Sequence, residues 1–82
     1  MHGLMMEKPL LITDIMRFAE RNYPDVEVVS VTLDNPRHRC TWKDVFRRAR
    51  QLANALTAAG VKPGDRIGSL AWNDYRHLEL YY

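Results

Sequence analysis

Thr41-Trp42-Lys43-Asp44-Val45-Phe46-Arg47-Arg48-Ala49-Arg50-Gln51-Leu52-Ala53-Asn54-Ala55-Leu56, running on through Thr57-Ala58-Ala59 to Gly60-Val61, is the stretch that decides the fold. Thr41 followed by Asp44 resembles a capping box, with Asp shorter than the usual Glu or Gln. Cys40 and Val45 stand where a hydrophobic staple places its two members. Val45, Phe46, Ala49, Leu52, Ala53 and Leu56 then recur by threes and fours, the period of a helix that buries one face. Arg47, Arg50, Gln51 and Asn54 fall on the opposite face. Gly60 suits the left-handed position that ends a helix, with Val61 placed to touch Leu56 across the cap.

Upstream, Thr13 is expected to cap a first helix running to about Tyr23. Ile12, Ile15, Phe18 and Ala19 share its apolar face, with Arg17, Glu20 and Arg21 opposite. Pro24 stops it, because the residue before a proline is pushed out of the helical region. Val26 to Leu33 reads as a strand, with Val29, Val31 and Leu33 alternating on one face. Asp34-Asn35-Pro36 is a turn, and His38 to Trp42 is the returning strand of a hairpin.

Downstream, Lys62-Pro63-Gly64-Asp65 is a turn. Arg66 to Trp72 is small or apolar after its first residue, the pattern of a strand covered on both faces in a parallel sheet. Asn73 caps a final helix from Asp74 onward, and Asp74 suits the positive end of that helix. Tyr75, Leu78, Leu80, Tyr81 and Tyr82 leave this helix apolar around much of its circumference, so it needs covering on more than one side. It has no glycine, basic last turn or proline to end it. The expected fold class is therefore α/β in the order helix, β-hairpin, helix, strand, helix, with residues 1–82 as the first part of a larger layered domain.

Composition narrows the function classes. Hydrophobic residues at 46% and charged residues at 27% are ordinary for a globular domain and unlike a disordered chain. Twelve Lys+Arg against ten Asp+Glu give a net charge of +2, too mild to argue for nucleic acid by itself. The start, with its short apolar run Leu10-Leu11-Ile12, lacks the basic region of a signal peptide, and no stretch approaches the ~20 apolar residues of a membrane span. The single cysteine, Cys40, forms no internal disulfide, which points to a reducing, cytoplasmic setting. There is no internal repeat or long linker.

Several side chains invite chemistry and are answered by a plainer reading. His38 and Cys40 occupy alternate strand positions and share a face, but a structural zinc site needs four ligands. Cys40 reads as a small buried hydrophobe. Gly60, Gly64 and Gly68 match neither a Walker loop nor a dinucleotide fingerprint. Gly60 and Gly64 read as backbone punctuation, and Gly68 as a mark of close packing against another backbone. Arg47, Arg48 and Arg50, with Arg37 and Arg39 nearby, could contact a polyanion. An Asp44–Arg48 pair at helical spacing favours a solvated face instead. Trp72, Tyr75, Tyr81 and Tyr82 read as core or interface anchors. His77 beside Arg76 and Glu79 has no positioned nucleophile and reads as a surface or interface histidine.

The run Thr41-Trp42-Lys43-Asp44, Ala53, Leu56, Gly60-Val61-Lys62-Pro63-Gly64-Asp65-Arg66-Ile67 and Asn73 resembles the start of the adenylate-forming, AMP-binding ligases. Trp42 replaces that family's common tyrosine, and Asp44-Val45 its Glu-Leu. Tyr23-Pro24-Asp25 resembles its junction after the first helix, so the resemblance covers nearly the whole chain. Leu70 to Tyr82, with Gly3-Leu4-Met5 and Pro9-Leu10-Leu11, is similar to medium- and long-chain fatty-acyl-CoA ligases, and relatives acting on short sulfur-containing acids share much of the pattern.

The resemblance implies a two-step reaction: a carboxylate attacks the α-phosphate of ATP, releasing pyrophosphate, and coenzyme A then displaces AMP. It implies ATP, Mg2+ and coenzyme A as cofactors, a fatty or related carboxylic acid as substrate, a homodimer, and peripheral membrane association without a spanning segment. The family's phosphate loop, acidic magnesium ligand, ribose-binding aspartate and mobile lysine have no counterpart in these residues. No catalytic, cofactor-binding or metal-binding residue is therefore assigned here, and no activity is expected of the segment alone. Two other readings stay open: a small basic module placing the Arg47, Arg48 and Arg50 face on nucleic acid, and a dimer that covers the apolar last helix.

Overall fold

The computed structural model describes residues 3–82. Five elements follow one another: α1 (Ile12–Asn22), β1 (Glu27–Ser30), β2 (His38–Thr41), α2 (Trp42–Ala58) and α3 (Tyr75–Leu80). The two strands form an antiparallel pair in which Glu27, Val28, Val29 and Ser30 face Thr41, Cys40, Arg39 and His38 in turn.

The organising helix is α2, and its ends are local chemistry. The Thr41 hydroxyl accepts the Asp44 amide at 3.3 Å while the Asp44 carboxylate accepts the Thr41 amide at 3.0 Å, completing the capping box. The next two amides, of Trp42 and Lys43, donate to the carbonyls of Val26 and Pro24 at 3.1 and 3.0 Å. Amides that a helix start leaves without intrahelical partners are thus taken up by the corner between α1 and β1. At the other end Gly60 has φ +97°, Val61 N–H reaches Leu56 C=O and Gly60 N–H reaches Thr57 C=O. These two bonds make a Schellman cap.

The core is small. Met16 of α1 packs with Val45 and Phe46 of α2, and Ala19, Val28, Cys40, Trp42, Leu78 and Tyr82 close around them. The Phe46 ring stacks with Trp42 at 5.4 Å and meets Tyr82 edge-on at 5.4 Å. Cys40, half-buried, packs against the cluster that contains Val45, its partner in the expected staple.

Several expectations are corrected. Thr13 does not cap α1: Leu11 holds that position with no side-chain bond, and Thr13 lies inside the helix. Nor does α1 bury Ile12, Ile15 and Phe18, which stay exposed; Met16 and Ala19 point at α2. Of the expected face only Ala19 turns inward, because the position of α2 selects Met16 in place of Ile12, Ile15 and Phe18. Val29 of β1 is exposed, as are Val31 and Leu33 beyond its end, while Ser30 and Thr32 are buried. That strand also ends at Ser30, because the Thr32 hydroxyl turns the chain through bonds with Asp34 and Asn35. Trp42 opens α2 rather than closing β2.

The largest difference concerns Arg66 to Trp72. It forms no strand; Ile67, Leu70 and Trp72 are exposed, and no second strand lies alongside among the described residues. A strand exists only through its ladder to a neighbour, so an apolar run without one remains an extended connector. The helix after it starts one residue later than expected, with Asp74 instead of Asn73 as its cap.

Candidate functional site

Chemistry-bearing side chains converge where β2, α2 and α3 meet. The Asp74 carboxylate accepts the amides of Arg76 and His77 at 2.9 and 3.3 Å, which fixes the start of α3. Tyr75 and Glu79, four residues apart on that helix, then face the same way and are both buried. The Tyr75 ring lies flat on the His38 ring of β2, with centroids 3.7 Å apart and planes 7° from parallel. Guanidinium carbons of Arg48 and Arg76 stand 5.6 and 5.1 Å from the Tyr75 ring centre, within cation–π range.

Glu79 is 6% exposed, on a helix otherwise rich in apolar side chains. A carboxylate in that position is tolerated only with a charged partner, and Arg48 Nε donates to it directly. The same hydrogen bond raises the Arg48 pKa further above its ordinary value. Arg48 therefore does not pair with Asp44 as its spacing predicted. Asp44 instead meets Arg47 at 3.5 Å, and the bond from the Thr41 amide, followed by that of its hydroxyl, lowers the Asp44 pKa. Arg76 lies 3.7 Å from Asp34 and 4.0 Å from Asp74, tying the hairpin turn to the start of α3. His38 Nδ1 is buried without a hydrogen-bond partner among the described residues.

Beside this cluster runs a shallow groove of about 220 Å³. Leu52 and Leu56 of α2, Ile67 and Ser69 of the connector, and Glu79, Leu80 and Tyr82 are among its lining residues.

The arrangement orients helices and supplies no reactive pair. Glu79 is engaged by Arg48 and is not a free base. Burial, first of all, raises the pKa of the Cys40 thiol, opposite to what a nucleophilic thiolate needs. No three His, Cys, Asp or Glu side chains gather into a metal-holding group among the described residues. His77 packs its ring 5.0 Å from Tyr81 and lies near no nucleophile in this cluster. Of the aromatic candidates, Tyr75 and Tyr82 pack inward, while Trp72 and Tyr81 are exposed.

These residues do not fit a nucleotide. The glycine turns close on their own backbone: Gly60 belongs to the α2 cap, and Gly64 (φ +90°) lies in a turn whose Lys62 amide is taken by the Asp65 carboxylate at 2.8 Å. An anion would meet a negative side chain there. A Cβ built on Gly68 touches nothing within 4 Å, so close backbone packing at that position is not found within the described residues. Four of the cluster's arginines are likewise matched: Arg50 grips Glu20 at 2.5 and 3.1 Å, Arg39 meets Glu27 at 2.8 Å, and Arg47 and Arg48 are paired as above. Guanidiniums already held by carboxylates make a poor phosphate track. Reading the sequence missed Glu79 as the centre of the cluster; its signal was a lone acid among Tyr75, Leu78, Leu80 and Tyr82.

Comparison with known proteins gives a consistent picture. The sequence profile of the AMP-binding enzymes matches residues 16–82. The whole chain is 46% identical to a 3-methylmercaptopropionyl-CoA ligase of Ruegeria lacuscaerulensis and 45% identical to a medium-chain-fatty-acid–CoA ligase of Ectopseudomonas oleovorans. Over 95% of its length it is 40% identical to a long-chain-fatty-acid–CoA ligase of Thermus thermophilus, of which it covers 14%. It spans 15% of the length of each of the first two.

Proposed function

The chain belongs to the AMP-binding enzyme family, and from that premise we propose that residues 1–82 are the N-terminal scaffold of an ATP-dependent fatty-acid–CoA ligase. The rest of its N-terminal domain and its C-terminal domain lie outside this segment. In this reading the full-length protein uses ATP, Mg2+ and coenzyme A to convert a carboxylic acid to its acyl-adenylate and then to a thioester. The 82 residues contribute shape, and none of their side chains takes part in a bond-making step.

One observation carries the reading: likeness to several CoA ligases persists at 39–46% identity along all or nearly all of the chain. The paired arginines and the self-closed glycine turns agree with a scaffolding role. Arg66 to Trp72, apolar and extended with no partner among the described residues, serves in this proposal as a strand of the layered domain, covered once that domain is whole. A homodimer, a cytoplasmic location and peripheral membrane contact complete the proposal; no helix among the described residues is long and apolar enough to cross a membrane.

The test is ATP–pyrophosphate exchange by the full-length protein with octanoate, palmitate and 3-methylmercaptopropionate in separate reactions. Exchange with a fatty acid is expected. Exchange with the sulfur-containing acid alone would replace the fatty acid in the proposal while keeping the ligase. No exchange with any acid would remove the ligase itself.

A further inference from the structure

We draw no further inference here: the strongest candidate, the exposed apolar edge that Ile67, Leu70 and Trp72 form beside the groove between α2 and α3, carries nothing beyond the layered-domain reading already proposed, because nothing in the structure shows what covers it.

Discussion

At the scale of single residues, burial makes Glu79 and Arg48 interdependent. Removing the arginine leaves a carboxylate in an apolar setting with its partner gone. Arg48→Ala is therefore expected to destabilise the domain by about 1–3 kcal/mol, discounted from the cost of breaking a fully buried pair because Arg48 is half exposed. Glu79→Gln should recover part of that loss when combined with it. A double-mutant cycle by urea unfolding of the full-length protein checks this, and strictly additive effects would show that the two side chains are uncoupled. Asp44 behaves differently because it is capping and only partly buried. Its carboxyl is held below the ordinary aspartate range of about 3.9, chiefly by the Thr41 amide. The capping contribution is thus fully present above that range and is lost as pH falls through the lower folded value. Acid titration of stability should therefore show a shallower decline in Asp44→Ala than in the parent between about pH 5 and 2. Equal slopes would contradict the assignment. Thr41→Ala should cost about 1 kcal/mol through the same cap.

Elements differ in how much of them could be read in advance. For α2 everything needed lies within the segment: a box at Thr41 and Asp44, a helical period from Val45 to Leu56, and a glycine with φ +97°. Gly60→Ala should accordingly lose roughly 1–2 kcal/mol, the penalty of a left-handed L-residue, with no change elsewhere; a neutral effect in thermal unfolding would mean the cap is dispensable. The faces of α1 and β1 were only half legible. Alternation groups Val29, Val31 and Leu33 together but does not say which side meets α2, and apolarity pointed the wrong way for Ile12, Ile15 and Phe18. For Arg66 to Trp72 the pattern describes a demand for partners that no local rule can supply. The cluster around Tyr75 was hidden for a related reason: Arg48 and Glu79 are 31 positions apart, and helical spacing offered Arg48 a nearer acid that it does not use.

For the whole molecule, two kinds of surface stand side by side. The hairpin, α1 and α2 share a packed centre, whereas the connector and the outer sides of α1 and β1 present large apolar side chains to solvent. If residues 66–72 become a covered strand in the full-length ligase, their amides should exchange with deuterium at least a hundredfold more slowly there than in the 82-residue polypeptide, since ladder bonds must open first. Equal, rapid exchange in both would count against the layered-domain reading. No side chain here was assigned a catalytic role from the sequence, and those gathered around Tyr75 are engaged with one another.

The carbonyls of Pro24 and Val26 that receive the Lys43 and Trp42 amides impose a length rule on the chain. Two stretches nearly twenty positions apart are clamped in register, so the corner from Tyr23 to Glu27 has no slack. Inserting one residue there would slide one acceptor away from its donor and twist the hairpin off its helix, whereas the same insertion at Asn35, out in the bend, would leave the clamp untouched.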